Sequence, residues 1–229
     1  MCKYYVTWVL SLWWVGLGAS HASRVEAVWN LTPVDTPWHA ENHEVWIDHE
    51  RHEVVIRAWY FAAHNHPKAW EQLKFALSFW NSQSGEFALQ IDSQGTHTSY
   101  PIRFELEIPQ GRYTEDGFYI PTQLVSAQFI TQVEVIPAAQ MPIKRTSQLP
   151  VAGYAPPNFI YISSLHTDNK WIGPHEVGHR LGADHIPATI MDEDLEGITH
   201  RVNKRIIKSI VETQVPVLWE QKGWRIIRL

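Results

Sequence analysis

Cysteine occurs once in the 229 residues, at position 2, and methionine only three times. Cys2 lies inside an apolar N-terminal stretch that reads as a removable leader. The mature chain therefore has no disulfide, no thiolate ligand for a metal and no thiol-bearing pro-segment. Any metal site must come from His, Asp, Glu or Tyr. A large excess of one charge sign is also lacking. Lys and Arg number 19 against 24 Asp and Glu, net −5, with no long basic run, which argues against a nucleic-acid partner. Beyond Gly18 no segment is apolar enough to span a membrane.

What is present begins with Met1-Cys2-Lys3, a short positive start, and an apolar stretch from Tyr4 to Gly18. Ser20 and Ala22 then supply the small residues a signal peptidase needs. Residues 1–22 are expected to be a secretory signal cleaved after Ala22, giving a secreted or periplasmic protein with no stable membrane insertion. The alternative is an uncleaved anchor, for which the stretch is short. Residues 23–229 suit one domain. Within them, 23–44 carries Pro33 and Pro37 and reads as a lead-in strand, a short pro-segment or a loose arm. Asn30-Leu31-Thr32 is a glycosylation sequon. Twelve tryptophans point to a rigid aromatic core or to sugar- or peptide-contacting surfaces.

Val45–Phe61 is rich in Val, Ile and aromatics and reads as one or two strands with a turn near His49–His52. Pro67 suits the first position of a helix, along which Trp70, Leu73, Leu77 and Trp80 form one apolar stripe. Gly85 marks its exit. Strand-like runs follow at Phe87–Ile91, Ile102–Ile108 and Gln132–Ile136, with a turn-rich stretch at Gln110–Asp116. Val151–Ser164 splits at Pro156-Pro157 into a short edge strand and a second strand, Asn158–Ser163. The spacing predicts a last helix over His200–Glu212, with Val202, Ile206, Ile207, Ile210 and Val211 on its apolar face and Thr199 as N-cap.

The informative stretch is H-E-V-G-H-R-L-G-A-D-H, His175 to His185. Pro174 can only lie in the first turn of the helix that carries it. Residues four apart share a helix face, so His175 and His179 can aim two imidazoles at one cation. Glu176 can reach a water on the same metal. Gly182 can end the helix in a left-handed conformation without a Cβ penalty, after which His185 can return as third ligand. Three ligands leave a fourth position open, the mark of a catalytic zinc site. A chance match to these five positions is on the order of one in ten thousand for this composition. The bland reading is a helix with solvated histidines and a glycine cap.

These residues resemble the zinc signature of the metzincin clan of endopeptidases, and within it the matrixin-like catalytic domains. The resemblance implies an α+β domain: a twisted mixed sheet with long helices, an active-site helix, and a small C-terminal subdomain below the cleft. It implies one catalytic Zn²⁺ held by His175, His179 and His185, with Glu176 as general base. Met191, six residues after His185, looks like the clan's Met-turn, the alternative being an ordinary core methionine. Ala76–Leu89 is similar to the family's first helix running into its second strand. Val151, Ala152, Gly153, Tyr154 and Ala155, followed by a strand and Trp171, look like the upper-rim edge strand to which an extended substrate adds. The expected enzyme is a monomeric zinc endopeptidase acting on protein or peptide substrates. The alternatives are a zinc-binding module without turnover and a secreted domain that zinc merely staples.

The chain also departs from the family. No loop for a second zinc or for calcium is recognisable, and Glu193 stands where astacins and serralysins place a tyrosine. His39, His43, His49, His52, His64 and His66 match no ligand template and are expected at the surface or in turns. His166 and Asp168 are expected in a loop near the active-site helix. Asp192, Glu193 and Asp194 form either an acidic pocket floor that favours basic side chains or a solvated loop. Trp219 and Trp224 are expected to pack the tail onto the core.

Overall fold

The computed structural model describes residues 25–27, 43–48, 50–93, 95–125, 129–143, 151–193, 200–214 and 223–229. The leader, Thr199, Asp194, Trp219, His39, His49 and the sequon lie outside them.

Val45–Phe61 forms two strands, β2 (Glu44–Asp48) and β3 (Glu53–Ala62), paired antiparallel. Between them Asp48 Oδ1 accepts the N–H groups of Glu50 and Arg51, each at 3.0 Å, an Asx-type turn that His52 completes at φ 53°. Short β1 (Val25–Ala27) pairs with β2, so the lead-in includes a strand. Strand β3 is buried from Val54 to Ala62 except at Arg57, as a near-continuous apolar run predicts for a central strand. It runs parallel to β5 (Thr96–Glu107) and to β8 (Ile130–Ile136). Parallel β10 (Phe159–Ser163) extends the sheet beyond β8, and β9 (Gly153–Tyr154) closes that side antiparallel to β10. On the other side lie β4 (Phe87–Ser93) and then β11 (Trp224–Arg228), both antiparallel. The order is β11-β4-β5-β3-β8-β10-β9, a mixed sheet.

Helix α1 (Pro67–Asn81) opens on Pro67 as predicted, and Gly85 follows it at φ 80°. Leu73, Leu77 and Trp80 are buried against the sheet. Trp70 is only half-buried, edge-on to Tyr113 and Tyr119. Those tyrosines belong to a separate ribbon of β6 (Gly111–Tyr113), inside the stretch read as turns, and β7 (Tyr119–Pro121), beyond it. Helix α2 (Ile172–Arg180) carries the histidine motif and packs on α1, β9 and β10. Helix α3 (Lys204–Gln214) packs on β2 and β11.

The class is thus α+β with a mixed sheet and few helices, but the helices are not uniformly long. Helix α1 has 15 residues and α2 only 9. Helix α3 begins four residues later than the sequence suggested. Its cap is Asn203, whose Oδ1 accepts the N–H groups of Arg205 at 2.9 Å and Ile206 at 3.0 Å. Of its predicted apolar face, Ile206, Ile207, Ile210 and Val211 are all 0% exposed, whereas Val202 is buried but precedes the helix, because the chain turns helical only after Asn203.

Candidate metal centre

The motif helix is held at both ends. At its start, Gln72 of α1 accepts the Gly173 N–H at 3.0 Å and donates to the carbonyls of Thr167 at 2.8 Å and Asn169 at 3.0 Å. One first-turn N–H that the helix itself cannot satisfy is thereby paired. Trp80 Nε1 donates to the Pro174 carbonyl at 2.8 Å. At its end, Gly182 adopts φ 88°, and Ala183 N donates back to Gly178 O at 2.9 Å, the reversal expected of a glycine there. Ser209 of α3 secures the bend by donating to Gly182 O at 2.7 Å.

The bend returns His185 to the other two rings. His179 Nε2 lies 3.0 Å from both His175 Nε2 and His185 Nε2, and the three ligand atoms lie within 4.8 Å of one another. The opposite ring nitrogens are occupied. His175 Nδ1 faces Ile190 O and His179 Nδ1 faces Ala183 O, each at 2.9 Å. A carbonyl only accepts, so both Nδ1 atoms carry the proton and both Nε2 atoms present lone pairs. Two such lone pairs 3.0 Å apart repel unless a proton or a metal ion lies between them. The three residues can hold a metal ion, and imidazole donors suit the first-row transition metals, zinc among them. Exposure is graded, with His175 buried, His179 half-buried and His185 exposed, so the site opens to solvent on the His185 side. The Nδ1 of His185 lies 3.4 Å from a carboxylate oxygen of Glu193.

A tight turn underlies the site. Ile186 N donates to Met191 O at 2.9 Å, Thr189 Oγ1 donates to Ile186 O at 2.6 Å, and Ala188 N donates to Asp192 Oδ2 at 2.6 Å. Met191, 0% exposed, puts its sulfur against Gly178, where a Cβ would also lie 3.0 Å from Trp80 Cζ2. The glycine inside the motif thus admits Met191 beneath the ligands. Asp192 closes this turn through its bond to Ala188 N.

Glu176 is buried at 5% exposure, and burial pushes its carboxyl up to about 8. A cation beside it would favour the ionised form instead. Strand β9 runs alongside, narrower than the Val151–Ala155 segment but at the predicted edge. Asp168 pairs with Lys68 at 3.1 Å, and His166 sits exposed in the loop before α2, as expected. Trp171 stacks on His200 at 3.7 Å. His52, His64 and His66 are exposed, but His43 contradicts its surface placement. It is 1% exposed, close to the backbone of Ile210 and Arg180. Packing of β2 on α3 buries it, a contact between residues far apart in sequence.

Gln72, Trp80 and Glu193 were not read as part of the site. Gln72 had a signal: it lies on the helix face shared by Ala69, Leu73 and Ala76, where a polar residue needs a reason. No helix among the described residues is long and apolar enough to cross a membrane. No family model, curated protein or solved structure matches the chain.

Proposed function

We propose that this chain is a secreted or periplasmic zinc endopeptidase of metzincin type, with a matrixin-like catalytic domain acting as a monomer on protein or peptide substrates. The observation that carries the reading is the convergence of three imidazole Nε2 atoms, two of them set as acceptors by backbone carbonyls. His175, His179 and His185 would hold the ion. Zinc there supplies Lewis acidity toward a peptide carbonyl and toward water.

The chain's own residues do the rest. Glu176 follows the first ligand directly, so its carboxylate takes the proton of the attacking water and returns it to the leaving amine. Burial excludes competing solvent from that carboxylate. Strand β9 has a sheet partner on one side only among the described residues, so an extended substrate can add to its outer edge through backbone hydrogen bonds. Met191 and the turn around it support the ligands from below.

The test is digestion of a denatured protein by purified material. Cleavage abolished by a chelator, restored by zinc, and lost in Glu176→Ala with zinc and fold retained is the expected result. Zinc binding without any cleavage in the wild type would leave a binding module or a metal staple in place of an enzyme. Purified protein that refuses zinc would remove the reading altogether.

A further inference from the structure

We infer that Gly153 is a positioning residue for Glu176: the hydrogen in place of a side chain on β9 is the slot that decides where the carboxylate lies. The inference rests on the reading of Glu176 as general base. An ideal Cβ at Gly153 would clash with Glu176 Oε1 and lie 2.7 Å from Cγ and 2.8 Å from Cδ. Contacts that short do not occur in folded proteins, so an alanine at 153 and this carboxylate position exclude each other.

The backbone gives no other reason for glycine. Gly153 is not among the residues with positive φ, and its conformation is one any residue adopts. Neither wall of the slot yields easily. Gly153 pairs with Ile162 of β10, Ser163 N donates to Ala152 O at 2.9 Å, and Val151 N donates to Pro142 O at 3.0 Å. Opposite, α2 is pinned at its start by Gln72 and Trp80 and at its end by Ser209. A methyl group at 153 therefore moves the element between them, the Glu176 side chain. The same strand that would align the substrate thus also sets the base, which couples substrate register to the proton acceptor.

Four proteins decide this: wild type, Gly153→Ala, Glu176→Ala and the double variant. Each is assayed for zinc affinity by chelator competition, for thermal stability without metal, and for kcat and KM on a quenched-fluorescence peptide chosen from the wild type's own digest of casein. Gly153→Ala is expected to lower kcat about 10- to 100-fold, the cost of misplacing a reacting group by about 1 Å, with KM and zinc affinity within about threefold. It is expected to lower Tm in the wild-type background and not in Glu176→Ala, where the methyl fills vacated space; such coupling is the signature of direct contact. A kcat within twofold of wild type, or an equal Tm loss in both backgrounds, overturns the inference. If Gly153→Ala does not fold, a folded double variant supports the inference and an unfolded one overturns it. If the wild type binds zinc but cleaves nothing, the protease reading falls. The Tm coupling alone then decides whether Gly153 positions Glu176.

Discussion

His175 donates its Nδ1–H to the carbonyl of Ile190 at 2.9 Å, the residue immediately before Met191. One bond joins the motif helix to the turn beneath it and selects the tautomer that leaves Nε2 able to bind a metal. His179 is treated alike by Ala183. For both rings the orienting group is main chain, so no side-chain substitution removes it.

His185 differs, because its Nδ1 faces the Glu193 carboxylate at 3.4 Å. Glu193→Ala is expected to weaken zinc binding about 10- to 100-fold, the usual cost of losing a ligand's orienting partner, and Glu193→Gln to weaken it less. Competition against a chromogenic chelator measures this. Wild-type affinity in the alanine variant would show that the carboxylate does not orient the ring.

Met191 fills the space under Gly178 with no exposed surface. Met191→Ala is expected to cost about 2–5 kcal/mol, as other buried methionine truncations do. Met191→Leu, which conserves volume, should cost under about 1.5 kcal/mol. Urea denaturation of the metal-free protein separates the two, and equal losses would mean that filling the volume is not what Met191 contributes.

Gln72 satisfies one N–H and two carbonyls at the start of α2. Gln72→Leu leaves the buried Gly173 N–H without its acceptor, at about 1–3 kcal/mol for that group alone. The loss should appear as a lowered denaturation midpoint at unchanged slope. A neutral result would mean that another group takes over the cap.

Burial pushes the His43 imidazole down to about 3, with the nearby Arg180 guanidinium acting in the same direction. The folded state keeps the ring neutral, whereas the unfolded chain protonates near pH 6.5. Between pH 6.5 and about 3 the unfolded state therefore holds one more proton, and stability falls as pH drops through that window, by at most about 1.4 kcal/mol per pH unit for this group. His43→Gln should flatten the slope by roughly one proton. An unchanged slope would place the acid sensitivity elsewhere.

Local pattern carried much of this. The four-residue spacing of His175 and His179, the glycine reversal at Gly182 and the start of α1 at Pro67 depend only on helix geometry and on residues within a few positions. The apolar runs of β3, β8 and β10 were likewise legible because the side chains that bury them are their own. The sequence was silent where a partner lay far along the chain, although Trp224 does pack on the core as expected. Strand β11 exists through pairing with β4, more than a hundred residues earlier, and Trp224 alone did not announce it. The β6–β7 ribbon is held by tyrosines packing on Trp70 of α1.

Sequence by itself determined which side chains can ligate a metal and which carboxylate stands beside them, because a helix fixes relative direction over four residues. Tertiary structure alone decided that the Ile190 carbonyl orients His175, that His43 is buried and that Gly153 abuts Glu176. Each of these depends on the distance between segments that only the packed sheet and helices bring together.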